Sequence, residues 1–321
     1  MSTSIILLFL PKEKSPFGSY NLLKGMKILI TGSNGLLGQK IVRQLKKNKK
    51  SFLATSLGEN RNSDCPNSSY RSLDISSQDE VNKVIMDYNP DAVIHTAAIT
   101  NVDYCETNPE LCHDVNVTAT AYLFEASQKY GAHFSLLSTD FVFDGEKGNY
   151  MESDQPNPLS IYAQSKVDAE RILINSANKN WSIVRTIIVF GEGNNLSRSN
   201  IVLWAKEALT SGKELNIIDD QFRAPTWADD LAWACIRIAE LHKTGIYHIS
   251  GPEIFSIYEL VLRVAKSCGL DTKSLNKTTS ESLNQAAKRP PKTGFDLSKA
   301  RAEIDYRPMS FEDSLKLLFS V

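Results

Sequence analysis

A strand-forming run, Lys27-Ile28-Leu29-Ile30-Thr31, passes straight into Gly32-Ser33-Asn34-Gly35-Leu36-Leu37-Gly38, and a helical pattern starts inside the glycines. No other segment restricts the fold as much. A strand that turns into a helix over so few residues belongs to a βαβ unit, and such units build a parallel sheet with crossover helices on its faces. The chain then repeats the pattern. Strand-like apolar runs at Ser51–Ser56, Ala92–Thr96, His133–Ser138 and Ser182–Val189 alternate with helical patterns at Leu36–Lys47, Ser77–Tyr88, Pro109–Tyr130 and Tyr162–Ala177. Asn108 suits an N-cap before Pro109, whose missing N–H costs nothing in a first turn, and Gly131 suits the C-cap.

The predicted fold is therefore α/β, a Rossmann-type doubly wound parallel sheet with a smaller C-terminal α/β lobe. Helices expected near Ser199–Thr210, Ala228–His242, Ile257–Ser267 and Phe311–Phe319 build the lobe. The expected division is residues 1–25 as an N-terminal extension, 26–190 as mainly the NAD(P)-binding domain, and 191–321 as mainly a substrate-binding lobe whose chain crosses back to the sheet. Asp144–Pro158, rich in glycine and proline, is expected to be a long surface loop. The apolar run Ile5–Leu10 in the extension is too short to span a bilayer.

Composition removes several partners. With a net charge of -1 over 321 residues the chain has no electrostatic footprint for nucleic acid. Cys65, Cys105, Cys112, Cys235 and Cys268 form no C-x-x-C pair, and their scatter fits free thiols in a reducing compartment, so the expected location is cytoplasmic. His95, His113, His133, His242 and His248 show no metal-ligand spacing, and no metal is expected. Small molecules, and a second copy of the chain in a homodimer, remain as partners.

The glycine turn has a physical use. Gly32 permits a tight turn, Gly35 lets a phosphate approach the backbone, Gly38 lets helix pack on strand, and the N–H groups of Leu36 and Leu37 open the helix towards an anion. Asn34 lies within the same turn. Past the second strand, where an acidic residue holds the ribose of NAD, the chain reads Ser56-Leu57-Gly58-Glu59-Asn60-Arg61. Ser56 fills that slot, Glu59 suits NAD, and Arg61 suits a 2′-phosphate. NADP(H) is the preferred cofactor and NAD(H) the alternative.

Tyr162 and Lys166 are four apart on a predicted helix and so share a face. An ammonium beside a phenol lowers its pKa from about 10, which suits proton transfer to a carbonyl. At the end of a preceding strand stands Leu137-Ser138-Thr139-Asp140, where open parallel sheets place active sites. Thr139, or in second place Ser138, is positioned there to hydrogen-bond a substrate carbonyl.

The T-G-x-x-G-x-x-G spacing, with these hydroxyls and the Tyr/Lys pair, resembles the extended short-chain dehydrogenase/reductase superfamily. Within it the chain is most similar to the dTDP-4-dehydrorhamnose reductase family. The residues that carry this are Ser138 to Gly145, Tyr162 to Lys166, Arg185-Thr186, Gly193-Asn194-Asn195 and Asp220-Gln221-Phe222-Arg223-Ala224-Pro225-Thr226. The resemblance implies catalytic roles for Thr139, Tyr162 and Lys166 in NAD(P)H-dependent reduction of a 4-keto nucleotide sugar. It also implies cofactor contacts from Asp74, Ile75, Ala97 and Ala98, and substrate contacts from Thr139, Asp140, Asn195, Gln221 and Arg223. A 4,6-dehydratase would need a second carboxylate where Phe141 stands.

Two positions depart from the reductase pattern. Ile188 replaces an expected tryptophan, and Arg223 stands where glycine is common, either to bind a diphosphate or to pair with Asp219 or Asp220. The same fold resembles a nucleotide-sugar epimerase and the non-catalytic β subunit of methionine adenosyltransferase, which are the alternative readings.

Overall fold

The computed structural model describes residues 25–283 and 285–319. The expected extension lies, apart from Gly25, outside the described residues. Seven parallel strands form the main sheet in the order Gly245–His248, Trp181–Thr186, His133–Thr139, Ala92–His95, Lys27–Thr31, Ser51–Ser56 and Tyr70–Ser72. Alternation along the strands puts side chains on both faces. Ile28 and Ile30 join one core cluster while Leu29 joins another, and Ala92 and Ile94 are parted from Val93 in the same way. The order in which strands are added reverses between Lys27–Thr31 and Ala92–His95, which opens a crevice at the carboxyl ends of these parallel strands.

A third cluster, around Phe190, Trp227, Phe255 and Phe311, fills the smaller layer of helices Ile201–Thr210, Ile257–Ser267 and Phe311–Phe319. Below it lies a four-stranded sheet ordered Phe255–Ser256, Phe222–Arg223, Lys292–Phe295 and Gly148–Tyr150. The segment expected as a surface loop thus carries a strand, Gly148–Tyr150, paired in parallel with Thr293–Phe295. The pairing partner lies so far along the chain that no local pattern reveals it.

Two further elements differ from expectation. The strand expected to reach Val189 ends at Thr186, and Ile188 takes φ +29°, a left-handed conformation that strains a β-branched residue. Thr226 holds the kink, its Oγ1 donating to the Ile187 carbonyl at 2.6 Å and its N–H to that of Ile188 at 3.0 Å. The long helix expected from Pro109 is interrupted by a π turn, Asp114–Thr118, before resuming as Ala119–Lys129. Asn108 does not cap it with its side chain, which instead donates to the Tyr104 carbonyl at 3.0 Å.

Candidate active site

The glycine turn ends the first strand at the crevice. Gly32 has φ +73°, and a Cβ there would lie 2.6 Å from the Ala97 nitrogen, so the ends of two adjacent strands close on each other. A Cβ on Gly38 would sit 2.3 Å from the Gly32 carbonyl oxygen, which leaves helix Leu36–Lys47 packed on the turn. Gly35 differs from both. A Cβ there meets only the Gly32 oxygen, at 3.3 Å, so one side of its backbone is open. Gly35 is also the helix N-cap, with no side-chain cap, and the buried Ser33 hydroxyl beside it has no hydrogen-bond partner among the described residues. Unpaired N–H groups in a first turn, an open cradle and an orphaned hydroxyl are what a pyrophosphate satisfies. Leu37 contributes backbone only, since its side chain is in the core.

Asn34 is buried and acts within the protein. Its Nδ2 donates to the Glu59 carbonyl at 2.8 Å, and its Oδ1 accepts from the Arg61 N–H at 2.9 Å. The turn is thereby fastened to the segment after Ser56, whose carbonyl accepts from Leu73 N–H and Tyr70 OH. Arg61 lines a cavity of about 390 Å³ together with Asn62, Ser63 and Asn195. Asn195, expected at the substrate, is therefore placed beside Arg61. The cause is Asn194, which exchanges hydrogen bonds with Gln39 and donates to Ser63 Oγ at 2.6 Å.

Asp74 lies just past strand Tyr70–Ser72. Its Oδ1 accepts from Ser76 N–H at 2.9 Å and Ser76 Oγ at 2.6 Å, so it organises the turn into helix Gln78–Tyr88, and Ile75 packs partly on the core. Ala97 and Ala98 follow strand Ala92–His95, with the Ala97 backbone against Gly32.

Thr139 ends the fifth strand, and Tyr162 and Lys166 lie on helix Ile161–Ile174, capped by Ser160. All three are buried. Burial pushes the Tyr162 phenol up from its ordinary value, contact with the Thr139 hydroxyl opposes this, and Asp140, Cys105 and Cys112 add to the rise. That direction is opposite to the one expected from a neighbouring ammonium. Burial brings Lys166 down to about 8, against the pull of Glu170 and Cys112. The Lys166 charge also reaches His95, held between Thr31 and Thr120 at 2.6 and 3.1 Å, which ties Lys166 to the strand ends of the glycine turn.

Asp140, Gln221 and Arg223 form a buried group. Asp140 accepts from Thr139 Oγ1 at 3.1 Å and from Thr293 Oγ1, and lies 3.7 Å from Arg223 Nε. Arg223 donates to the carbonyls of Phe222 and Pro290 at 2.8 and 2.5 Å and to Gln221 Oε1 at 3.3 Å, with its guanidinium 5.5 Å from the Phe141 ring. Phe141 in turn meets Tyr162 edge-on. Arg223 is thus spent inside the protein and is not a diphosphate ligand. Nor does it pair with Asp219, which takes Lys277 and Ser256, or Asp220, which takes Ser280.

Sequence reasoning passed over two supports. Glu170 accepts from Arg185 Nη2 at 2.6 Å and Nε at 2.9 Å and from Ser138 Oγ at 2.5 Å, one helical turn beyond Lys166. Ser138 is therefore occupied, and Thr139 is the available hydroxyl. Asn116, in the π turn, accepts from Ile99 N–H and donates to Ile99 carbonyl and Ser165 Oγ at 2.8, 3.0 and 3.0 Å. It clamps the segment after Ala98 to the helix of Tyr162 and Lys166. A charged pair on buried positions and an asparagine inside an apolar helix pattern were the available signals.

With this geometry in hand, comparison with known proteins is decisive, because residues 26–320 match the family described as RmlD substrate binding domain. The chain belongs to that family. Among its relatives, dTDP-4-dehydrorhamnose reductase of Aggregatibacter actinomycetemcomitans is 32% identical, over 90% of this chain and 97% of the relative. Methionine adenosyltransferase 2 subunit beta of Xenopus tropicalis is 31% identical, over 86% of this chain and 82% of the relative. The crystal structure of dTDP-4-dehydrorhamnose reductase from Bacillus anthracis in complex with NADP superposes with a TM-score of 0.81 at 26% identity, covering 92% of this chain and 99% of that one. Like its relatives in the RmlD family, the chain is an extended short-chain dehydrogenase/reductase and an NAD(P)(H)-dependent oxidoreductase of the dTDP-4-dehydrorhamnose reductase type. No described helix is long and apolar enough to cross a membrane, and the described residues hold no cluster suited to a metal.

Proposed function

We propose that this RmlD-family chain reduces the ketone of a 4-keto nucleotide sugar with NADPH, Tyr162 donating the proton. The observation that carries the proposal is the buried placement of Thr139 at the end of its strand with Tyr162 and Lys166 on one face of the next helix, in a sheet whose first strand ends in the open Gly35 turn. NADPH would supply the hydride. The protein's own residues would do the rest: the N–H groups of Leu36 and Leu37 would hold the pyrophosphate, and Arg61, which lines a cavity, would take the 2′-phosphate. Burial keeps Tyr162 protonated until a carbonyl oxygen arrives, and Lys166 offers positive charge on the same helix face as the phenolate forms.

NADPH oxidation against a panel of nucleotide 4-keto sugars tests this, with Tyr162→Phe as the paired variant. Turnover is expected with one sugar and is expected to fall by about 10²–10⁴ in the variant while NADPH still binds. Absence of turnover across the panel, or an unimpaired variant, refutes the proposal.

A second reading is favoured by the methionine adenosyltransferase relative, namely a cofactor-binding subunit that acts through a partner. Capture of a methionine adenosyltransferase catalytic subunit, with an empty sugar panel, would establish it instead.

A further inference from the structure

With Arg223 committed inside the protein, the diphosphate of a nucleotide sugar needs other cations. Chemistry sets where they must stand. In a 4-keto nucleotide sugar the ketone and the diphosphate occupy opposite ends of the sugar ring, so a ketone at Tyr162 leaves the diphosphate towards the mouth of the crevice.

Two arginines meet there, and both hold the segment that continues from Ala97 and Ala98 beyond the carboxyl end of strand Ala92–His95. Arg198, in the stretch before helix Ile201–Thr210, donates from Nη2 to Thr100 Oγ1 at 3.2 Å. Arg289, from far along the chain, donates from Nη2 to Asp103 Oδ2 at 2.7 Å, and the Ala287 N–H donates to Asp103 Oδ1 at 3.1 Å. Asp103 lies in helix Val102–Thr107, whose Cys105 packs in one cluster with Tyr162 and Phe141. Past Arg289, the Pro290 and Pro291 carbonyls accept from Arg223 at 2.5 and 3.3 Å, and Thr293 donates to Asp140. Residues 287–293 therefore run from Asp103 to Asp140, and both of their anchor points adjoin the surroundings of Tyr162.

Neither arginine is committed as Arg223 is. The Thr100 hydroxyl that holds exposed Arg198 is a neutral acceptor, and a charged phosphate oxygen makes a hydrogen bond about twice as strong. Arg289 has a carboxylate partner, but the Asp103 side chain is 44% exposed, so the pair is weak and the carboxylate regains water on release. Arg223 and Asp140, by contrast, are almost fully buried, and parting them strands two charges.

We propose that Arg198 and Arg289 form the site for the substrate diphosphate, with the Asp103 carboxylate occupying Arg289 until the nucleotide arrives. The nucleotide-sugar ligand rests on the reductase reading. The planar fork of each guanidinium suits paired phosphate oxygens.

Isothermal titration of the NADP-saturated protein with dTDP, UDP and GDP tests this without turnover. At least one of them is expected to bind, and Arg289→Gln and Arg198→Gln are each expected to weaken it about tenfold or more with NADP affinity unchanged. Asp103→Asn is expected to tighten the nucleotide by about two- to fivefold, and to have no effect in an Arg289→Gln background. If the pair were only a tie between two parts of the fold, Asp103→Asn would weaken the nucleotide or leave it unmoved. If the gain were plain removal of a charge, it would be equal in both backgrounds. Either result overturns the proposal, as do arginine variants that bind like the parent, a matching loss of NADP affinity, or no binding of the three diphosphates. Should Arg289→Gln fail to fold, Arg289→Met, which keeps the aliphatic stem, takes its place in every comparison. An empty sugar panel with the nucleotide pattern intact would remove the reductase reading alone, and turnover with a KM unmoved by Arg289→Gln would remove this site alone.

Discussion

One methyl group, added at either of two glycines in the same turn, separates folding from cofactor binding. At Gly35 the backbone has φ -78° and ψ 164°, which alanine adopts freely, and the new Cβ meets only the Gly32 oxygen at 3.3 Å. Exchanging an N-cap glycine for alanine costs about 0.5–1 kcal/mol, and the stiffer unfolded chain returns about 0.4–1 kcal/mol. Gly35→Ala should therefore change stability by no more than about 1 kcal/mol. At Gly38 the new Cβ would lie 2.3 Å from the Gly32 oxygen and 2.6 Å from the Ser33 Cα, both backbone atoms that cannot swing aside. Overpacking of that kind costs about 1–3 kcal/mol or more, against a helix-propensity gain of about 1 kcal/mol.

Binding should respond in the opposite way. The Gly35 methyl projects into the space where phosphate oxygens approach the first-turn N–H groups, and each charge-assisted hydrogen bond lost is worth about 1.5–3 kcal/mol. NADPH affinity should fall at least about tenfold. Calorimetric melting of the free protein and isothermal titration with NADPH measure the two effects. A Gly38→Ala protein as stable as the parent, or a folded Gly35→Ala protein with parental affinity, would refute the reasoning.

Three more outcomes are expected. Arg61→Ala should weaken NADPH binding and leave NADH binding unchanged, as titration with both would show, and equal losses would place the 2′-phosphate elsewhere. Glu170→Gln leaves Arg185 buried without its partner and should destabilise the fold by about 3–5 kcal/mol, read as a lower denaturant midpoint. Acid should destabilise the protein through three buried histidines, His95 and His248, each held down to about 3, and His133, held down to about 4. Their folded values lie below the unfolded one, so the unfolded chain takes up protons first and stability falls as pH drops below about 6.5. Each contributes about 2 kcal/mol of loss by pH 5, with Asp140, Glu152 and Asp230, raised by burial, pulling the other way. Equal urea midpoints at pH 7 and pH 5 would contradict this.

The parallel sheet was legible because each long strand carries its own apolar run, and the first strand, its turn and helix Leu36–Lys47 fall where the residues indicate. What escaped has non-local causes. Strands of two to four residues, such as Phe222–Arg223 and Gly148–Tyr150, exist only through partners elsewhere in the chain. Asp74, Asn195 and Arg223 were legible as polar residues near a site, but which partner each takes depends on tertiary placement. Glu170 and Arg185 looked like ordinary helix and strand charges, and only the fold buries them together.

The π turn at Asp114–Thr118 carries a consequence for how this chain can change. Such a turn holds one residue more than an α-helix would, so removing a single residue ahead of Asn116 would restore regular 1.5 Å, 100° steps and strengthen the helix locally. It would also rotate Asn116 relative to all that precedes it and break its bonds to Ile99 and Ser165. The helix is kept from its own optimum by its neighbours, and one-residue deletions here should be rarer among functional variants than substitutions at the same positions.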